Sequence, residues 1–148
     1  MMQTSAIVTA IVILLALDSL WLSVMKTRYA TWVKAVQHRP MQIRVIGATM
    51  SYVFVILALV FVIIPAAMAH LPVTRSKALS LSEWMHMIKC ALRWGVVSGL
   101  AIYGVFNATN YGIFSDYPWQ MAVVDTVWGG ILFGTVTLIA LFSGRTKW

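Results

Sequence analysis

Residues 45–69 read VIGATMSYVFVILALVFVIIPAAMA, and this stretch decides the fold. It holds no Asp, Glu, Lys or Arg; the nearest charges are Arg44 before it and Arg75 beyond it. As an α-helix rising about 1.5 Å per residue, the run is roughly 37 Å long. That exceeds the hydrocarbon core of a bilayer, about 30 Å thick. Lipid offers no partner to backbone N–H and C=O groups, so a buried run of this kind must be helical. The period-two alternation that a membrane barrel strand would need is absent.

Working outward, three further runs pass the same test. Ala6–Val24 carries one charge, Asp18; Cys90–Phe106 carries Arg93 near its start; Met121–Phe142 carries only Asp125. The composition agrees: 61% of the 148 residues are hydrophobic and 10% are charged, where an ordinary soluble domain has roughly 25% charged residues. A soluble enzyme, a disordered tail and a nucleic-acid binder are excluded on that ground. The net charge of +7 is spread over short connections between apolar runs, which reads as loops at a membrane surface. Cys90 is the single cysteine, so no intrachain disulfide and no cysteine metal cage can form. Residues 1–5 lack Lys and Arg, and Asp18 interrupts the first apolar run, so that run reads as a retained helix and not as a cleaved signal peptide. The expectation is a single integral membrane domain over 1–148, all-α and polytopic. Its four transmembrane helices, at about 5–25, 45–69, 82–110 and 119–143, would form an antiparallel bundle.

The connections add detail. Between the first two spans lie Lys26, Arg28, Lys34, Arg39 and Arg44, with Tyr29, Trp32, Val33 and Val36 at helical spacing. This predicts a short basic helix lying in the interface and ended by Pro40, with Trp32 and the five cations among lipid headgroups. Ser80-x-x-Glu83 is a capping box that starts the third helix ahead of its apolar run. Lys89 and Arg93 then share a face with His86 and can reach the headgroups. Lys and Arg at 75, 77, 89, 93, 145 and 147 lie on one side of such a bundle and those at 26, 28, 34, 39 and 44 on the other. Six against five gives the positive-inside rule no asymmetry with which to orient the chain.

Two acids inside lipid are costly, about 2.5 to 3.5 kcal/mol each on insertion scales. Counting helix rise from the nearest connection puts Asp18, Tyr52, Asn107, Thr109, Asn110 and Asp125 at one level, with all four helices contributing. Turned inward, the two carboxyl groups would meet each other and the Asn, Thr and Tyr side chains, and at least one would be protonated near neutral pH. Asp18-x-x-Trp21 and Asp125-x-x-Trp128 repeat one pattern, placing each indole on the face of its acid. Gly95-x-x-x-Gly99 and Gly130-x-x-x-Gly134 are small-residue pairs that allow close helix approach, either between helices three and four or at an oligomer interface.

In their order along the chain these residues resemble a family of small four-helix predicted membrane proteins, a domain of unknown function met in bacteria and large viruses. The resemblance rests on Leu17-Asp18-x-x-Trp21-Leu22, Tyr52, the run Gly99-Leu100-Ala101-Ile102-Tyr103-Gly104-Val105-Phe106-Asn107-Ala108-Thr109-Asn110, Pro118, and Asp125-x-x-Trp128-Gly129. Asn107 stands where that family often carries an acid, and Tyr117 where it usually carries Trp. The resemblance implies fold and membrane location and supplies no activity.

Function is therefore read from the polar cluster: a buried Asp/Asn/Tyr site that binds an ion, a proton or a lipid headgroup. The alternative is an accessory subunit of a larger membrane assembly, for example a respiratory-type one, with membrane lipids and neighbouring subunits or a second copy as partners. The seven Trp and nine Met would suit such contacts. A bacterial plasma membrane and a mitochondrial inner membrane both fit. No cofactor and no nucleic acid is expected. Enzyme activity is not expected either, since no serine-protease, metal or intramembrane-protease motif is present; an acid–base pair of Asp18 and Asp125 is its one remaining route.

Overall fold

The computed structural model describes residues 4–71 and 80–145, apart from the side chain of Arg145. These residues form helices and no strands: α1 Thr4–Gln37, α2 Val45–Ala69, α3 Leu81–Ile113 and α4 Trp119–Arg145. All four are long and apolar enough to cross a membrane. The charges expected at 75, 77 and 147, and the Arg145 side chain, lie outside the described residues.

α4 is the central element, with half of its apolar span buried. Against one side of it runs α1, whose buried residues Ala6, Ala10, Leu14, Asp18, Met25 and Tyr29 form a stripe at multiples of about one turn. Ala10 and Leu14 meet Leu59, Ile63 and Ile64 of α2 and Leu132, Phe133, Val136 and Ala140 of α4 in the main core. A second cluster at one end joins Ala67, Met87, Cys90 and Leu141.

The other side of α4 packs on α3 through glycine. A Cβ at Gly95 would lie 2.7 Å from the Phe133 carbonyl oxygen and 2.9 Å from Gly134 Cα. One at Gly99 would meet the Gly129 backbone, and one at Gly130 would lie 2.9 Å from Leu100. Rising numbers on α3 thus meet falling numbers on α4. Both glycine pairs serve this internal seam, where missing side chains let two backbones touch.

Two helices contain a wider π-helical turn. Leu59–Ile63 in α2 ends two residues before Pro65. Proline lacks the N–H for the regular ladder and its ring crowds the carbonyl a turn earlier, and the wider turn relieves both. Ala91–Val96 in α3 carries Gly95 into the seam.

The basic segment after residue 25 differs from the sequence expectation. It forms no separate interfacial helix: α1 continues unbroken to Gln37. Hydropathy marks where a chain leaves lipid and is silent about where its helix stops, and nothing between Met25 and Gln37 breaks a helix. The end comes at His38, in the left-handed region with φ 56°, two residues ahead of Pro40. The Gln37 amide donates to the carbonyls of Arg39 at 3.1 Å and Pro40 at 2.9 Å. The capping box at the start of α3 is formed as expected, with the Glu83 amide donating to Ser80 Oγ at 3.3 Å and the Ser80 amide donating to Glu83 Oε2 at 2.7 Å.

Candidate functional site: a buried acid–aromatic network

Asp18 is 7% exposed on the core face of α1. Its Oδ2 accepts from the Tyr52 hydroxyl at 2.6 Å and its Oδ1 from the Trp128 indole N–H at 2.9 Å. Asp125, half-buried on the second turn of α4, is held in the same manner. Its Oδ1 accepts from the Tyr29 hydroxyl at 2.7 Å and its Oδ2 from the Asn107 amide at 2.8 Å. All four carboxyl oxygens thus carry a neutral donor. Among the described residues no ion pair reaches either acid; the one ion pair there, His38–Asp116 at 3.5 Å, is exposed.

The two halves are joined through indoles. Trp21 and Trp128 stack with centroids 4.5 Å apart and planes 4° from parallel. Trp128 donates to Asp18, while the Trp21 N–H donates at 3.1 Å to the Tyr29 hydroxyl, which in turn holds Asp125. The repeated Asp-x-x-Trp pattern therefore becomes a crossed pair, in which each indole serves the acid of the other helix.

Asn107, 1% exposed, completes the Asp125 side. Its amide nitrogen donates to Asp125 and to the Tyr103 carbonyl at 2.9 Å, and its oxygen accepts from the Tyr117 hydroxyl at 2.7 Å. An amide can act on both sides at once; an ionised acid there could only accept. Tyr117, in the connection between α3 and α4, has its phenol pKa raised by burial first and by the Asp125 carboxylate second.

Asp18, Trp21, Tyr52, Asn107, Asp125 and Trp128 are therefore brought together. The two acids do not meet each other as expected: no hydrogen bond joins them among the described residues, and no side chain donates to both. Thr109 is exposed, two residues and so about half a turn from Asn107. Asn110 is half-buried in a groove beside the network. Tyr29, Tyr103 and Tyr117 were not expected in the site. Tyr29 did carry a signal: it extends the α1 stripe by one more turn after Met25, visible once the helix is allowed to run past its first cation.

At the opposite end, Lys89 and Arg93 are exposed, with the Arg93 guanidinium 5.6 Å from the Trp94 ring. His86 Nε2 lies 2.6 Å from the His70 carbonyl. No group of three His, Cys, Asp or Glu among the described residues is placed to hold a metal ion.

With this geometry in place the chain can be set beside known families. A family model described as predicted membrane protein (DUF2177) matches residues 3–142. The chain belongs to that family. A membrane location follows for the protein, whose four helices are long and apolar enough to span the bilayer. The family description assigns no activity, and every residue of the network, from Asp18 to Trp128, lies within the matched segment. No curated protein and no solved structure matches the chain.

Proposed function

We propose that the Asp18–Asp125 network is a proton-exchanging site in a non-enzymatic multi-pass membrane protein. One observation carries this reading: two acids in the apolar part of the chain are met only by tyrosine, tryptophan and asparagine donors. Uncompensated negative charge is expensive in a low-dielectric setting, so the site favours a positive charge that can come and go. A proton fits best. Each oxygen already holds a donor, which leaves no ready coordination sphere for a metal ion, whereas a proton is accommodated once the phenol on that acid turns from donor to acceptor. The same saturation argues against chemistry, since each carboxyl oxygen is already engaged by a neighbouring donor.

Reconstituted liposomes with an internal pH dye test the proposal. Wild-type protein should carry protons down an imposed gradient, and Asp18→Asn and Asp125→Asn should each reduce the rate to that of empty liposomes. Equal flux in all three preparations removes the proton reading.

A second reading is supported by the outer surface. The first half of α2, Val45–Ala58, buries no residue, as would suit an accessory subunit that presents this helix to a neighbour. Migration on a native gel only within a large assembly, together with no flux, would favour it.

A further inference from the structure

We infer that the groove between the C-terminal turns of α1, the end of α3 and the start of α4 is a binding site for an anionic phospholipid. This inference stands apart from the proton reading and rests on a different part of the surface.

The groove has a volume of about 140 Å³ and apolar walls formed by Val33, Val36, Phe106, Phe114 and Met121. That is room for a stretch of acyl chain. Asn110 and Tyr117 supply its polar lining, and Tyr117 is tied through its hydroxyl to Asn107, so this wall is anchored. Gln37 closes the rim by holding the Arg39 and Pro40 carbonyls against the helix end.

Charge chooses the occupant. Lys34 lies between the two valines in sequence and one turn before Gln37, and Arg39 follows directly on the rim; both are exposed. Lys26, Arg28 and Arg44 belong to the same segment, and the sequence has no Asp or Glu between Asp18 and Glu83. Asp116, next to Tyr117 in sequence, faces His38 at 3.5 Å. None of the five cations has an ion-pair partner among the described residues. Depth agrees with charge. At about 1.5 Å per residue the 34 residues of α1 span roughly 51 Å, well beyond the roughly 30 Å of hydrocarbon. Its last turns therefore lie outside the hydrocarbon, on the headgroup side, when its first turns are at the opposite surface. A positive rim over an apolar slot suits a ligand with an anionic head and a fatty tail. A zwitterionic lipid matches the slot but not the rim, and free phosphate matches the rim but not the slot.

Native mass spectrometry of the full-length protein, released from bilayers of equal phosphatidylglycerol and phosphatidylcholine, tests this. Wild type should retain phosphatidylglycerol preferentially. The double variant Lys34→Ala/Arg39→Ala should lose that preference by about fivefold per cation removed. Arg75→Ala/Lys77→Ala, which removes as much charge from the connection between α2 and α3, should leave it unchanged. Val36→Trp should fill the slot and abolish retention while keeping the charge. Stacked-indole circular dichroism from Trp21 and Trp128 reports that each variant is folded; should Val36→Trp fail to fold, the two charge pairs decide. Equal retention of both lipids by wild type, an equal loss in both charge pairs, or competition of the bound species by inorganic phosphate alone would each overturn the assignment.

Discussion

Helices α2 and α4 both belong in lipid, and α2 is the more apolar of the two, yet half of the α4 span is buried in the protein against 22% of α2. The difference lies in what each offers a neighbour. α4 carries Gly129, Gly130 and Gly134 on the face that meets α3, and it carries Asp125 and Trp128 into the polar network. The first half of α2 carries Gly47, with nothing within 4 Å of a Cβ there, and one polar tether, Tyr52 to Asp18. Among apolar helices in lipid, further apolar surface gives no reason to associate, because lipid tails are as apolar as leucine. Close approach and hydrogen bonds decide who packs.

The largest effect should come from closing that approach. Gly99→Ala drives a methyl group into the Gly129 backbone, which cannot yield as a side chain tip would. A loss of about 3 kcal/mol is expected in mixed-micelle unfolding, while Gly47→Ala on α2 should change stability by no more than about 0.5 kcal/mol. Equal effects at the two glycines would break the contrast.

Next come the polar contacts between α4 and its neighbours, starting with Asn107 of α3. Asn107→Leu leaves Asp125 and the Tyr117 hydroxyl each short of a partner in a buried place, at about 2 kcal/mol in the same assay. Trp128→Phe removes the donor to Asp18 and leaves a smaller phenyl ring in place of one indole of the stack, for about 1 to 1.5 kcal/mol. The near-ultraviolet exciton signal of the indole pair should vanish with it. Smallest is Tyr52→Phe. A membrane hydrogen bond is worth about 0.6 kcal/mol on average, so overall stability should barely move. Amide exchange should nevertheless rise over residues 45–58 and stay unchanged in α4; equal change in both would contradict the view that the first half of α2 hangs on one polar tether.

Much of this architecture was legible in the chain because membrane entry depends on local composition. Four apolar runs gave four helices, and Ser80-x-x-Glu83 announced its own cap. The polar site was legible in part: charge inside an apolar run is rare enough that Asp18 and Asp125 stand out, and helix rise brings Tyr52 and Asn107 near them. The tyrosines at 29, 103 and 117 were not: an aromatic side chain reads equally well as core, interface or donor until its hydroxyl has a partner, as those of Tyr29 and Tyr117 do, and Tyr103 enters only through its backbone carbonyl. The extent of α1 was hidden by its own cations, which mark the edge of lipid but continue the helix. Thr109 was placed by height alone, and height ignores the half turn that points it away from Asn107.

Isotope-edited infrared titration of the reconstituted protein tests the central claim most directly. If Asp18 and Asp125 are separately held sites that each exchange a proton, a pH-sensitive carboxyl signal should contain two components of different frequency, one lost in Asp18→Asn and the other in Asp125→Asn. A single component erased by either substitution would mean the acids act as one dyad, and the absence of any pH-sensitive carboxyl signal would mean that no proton is exchanged there.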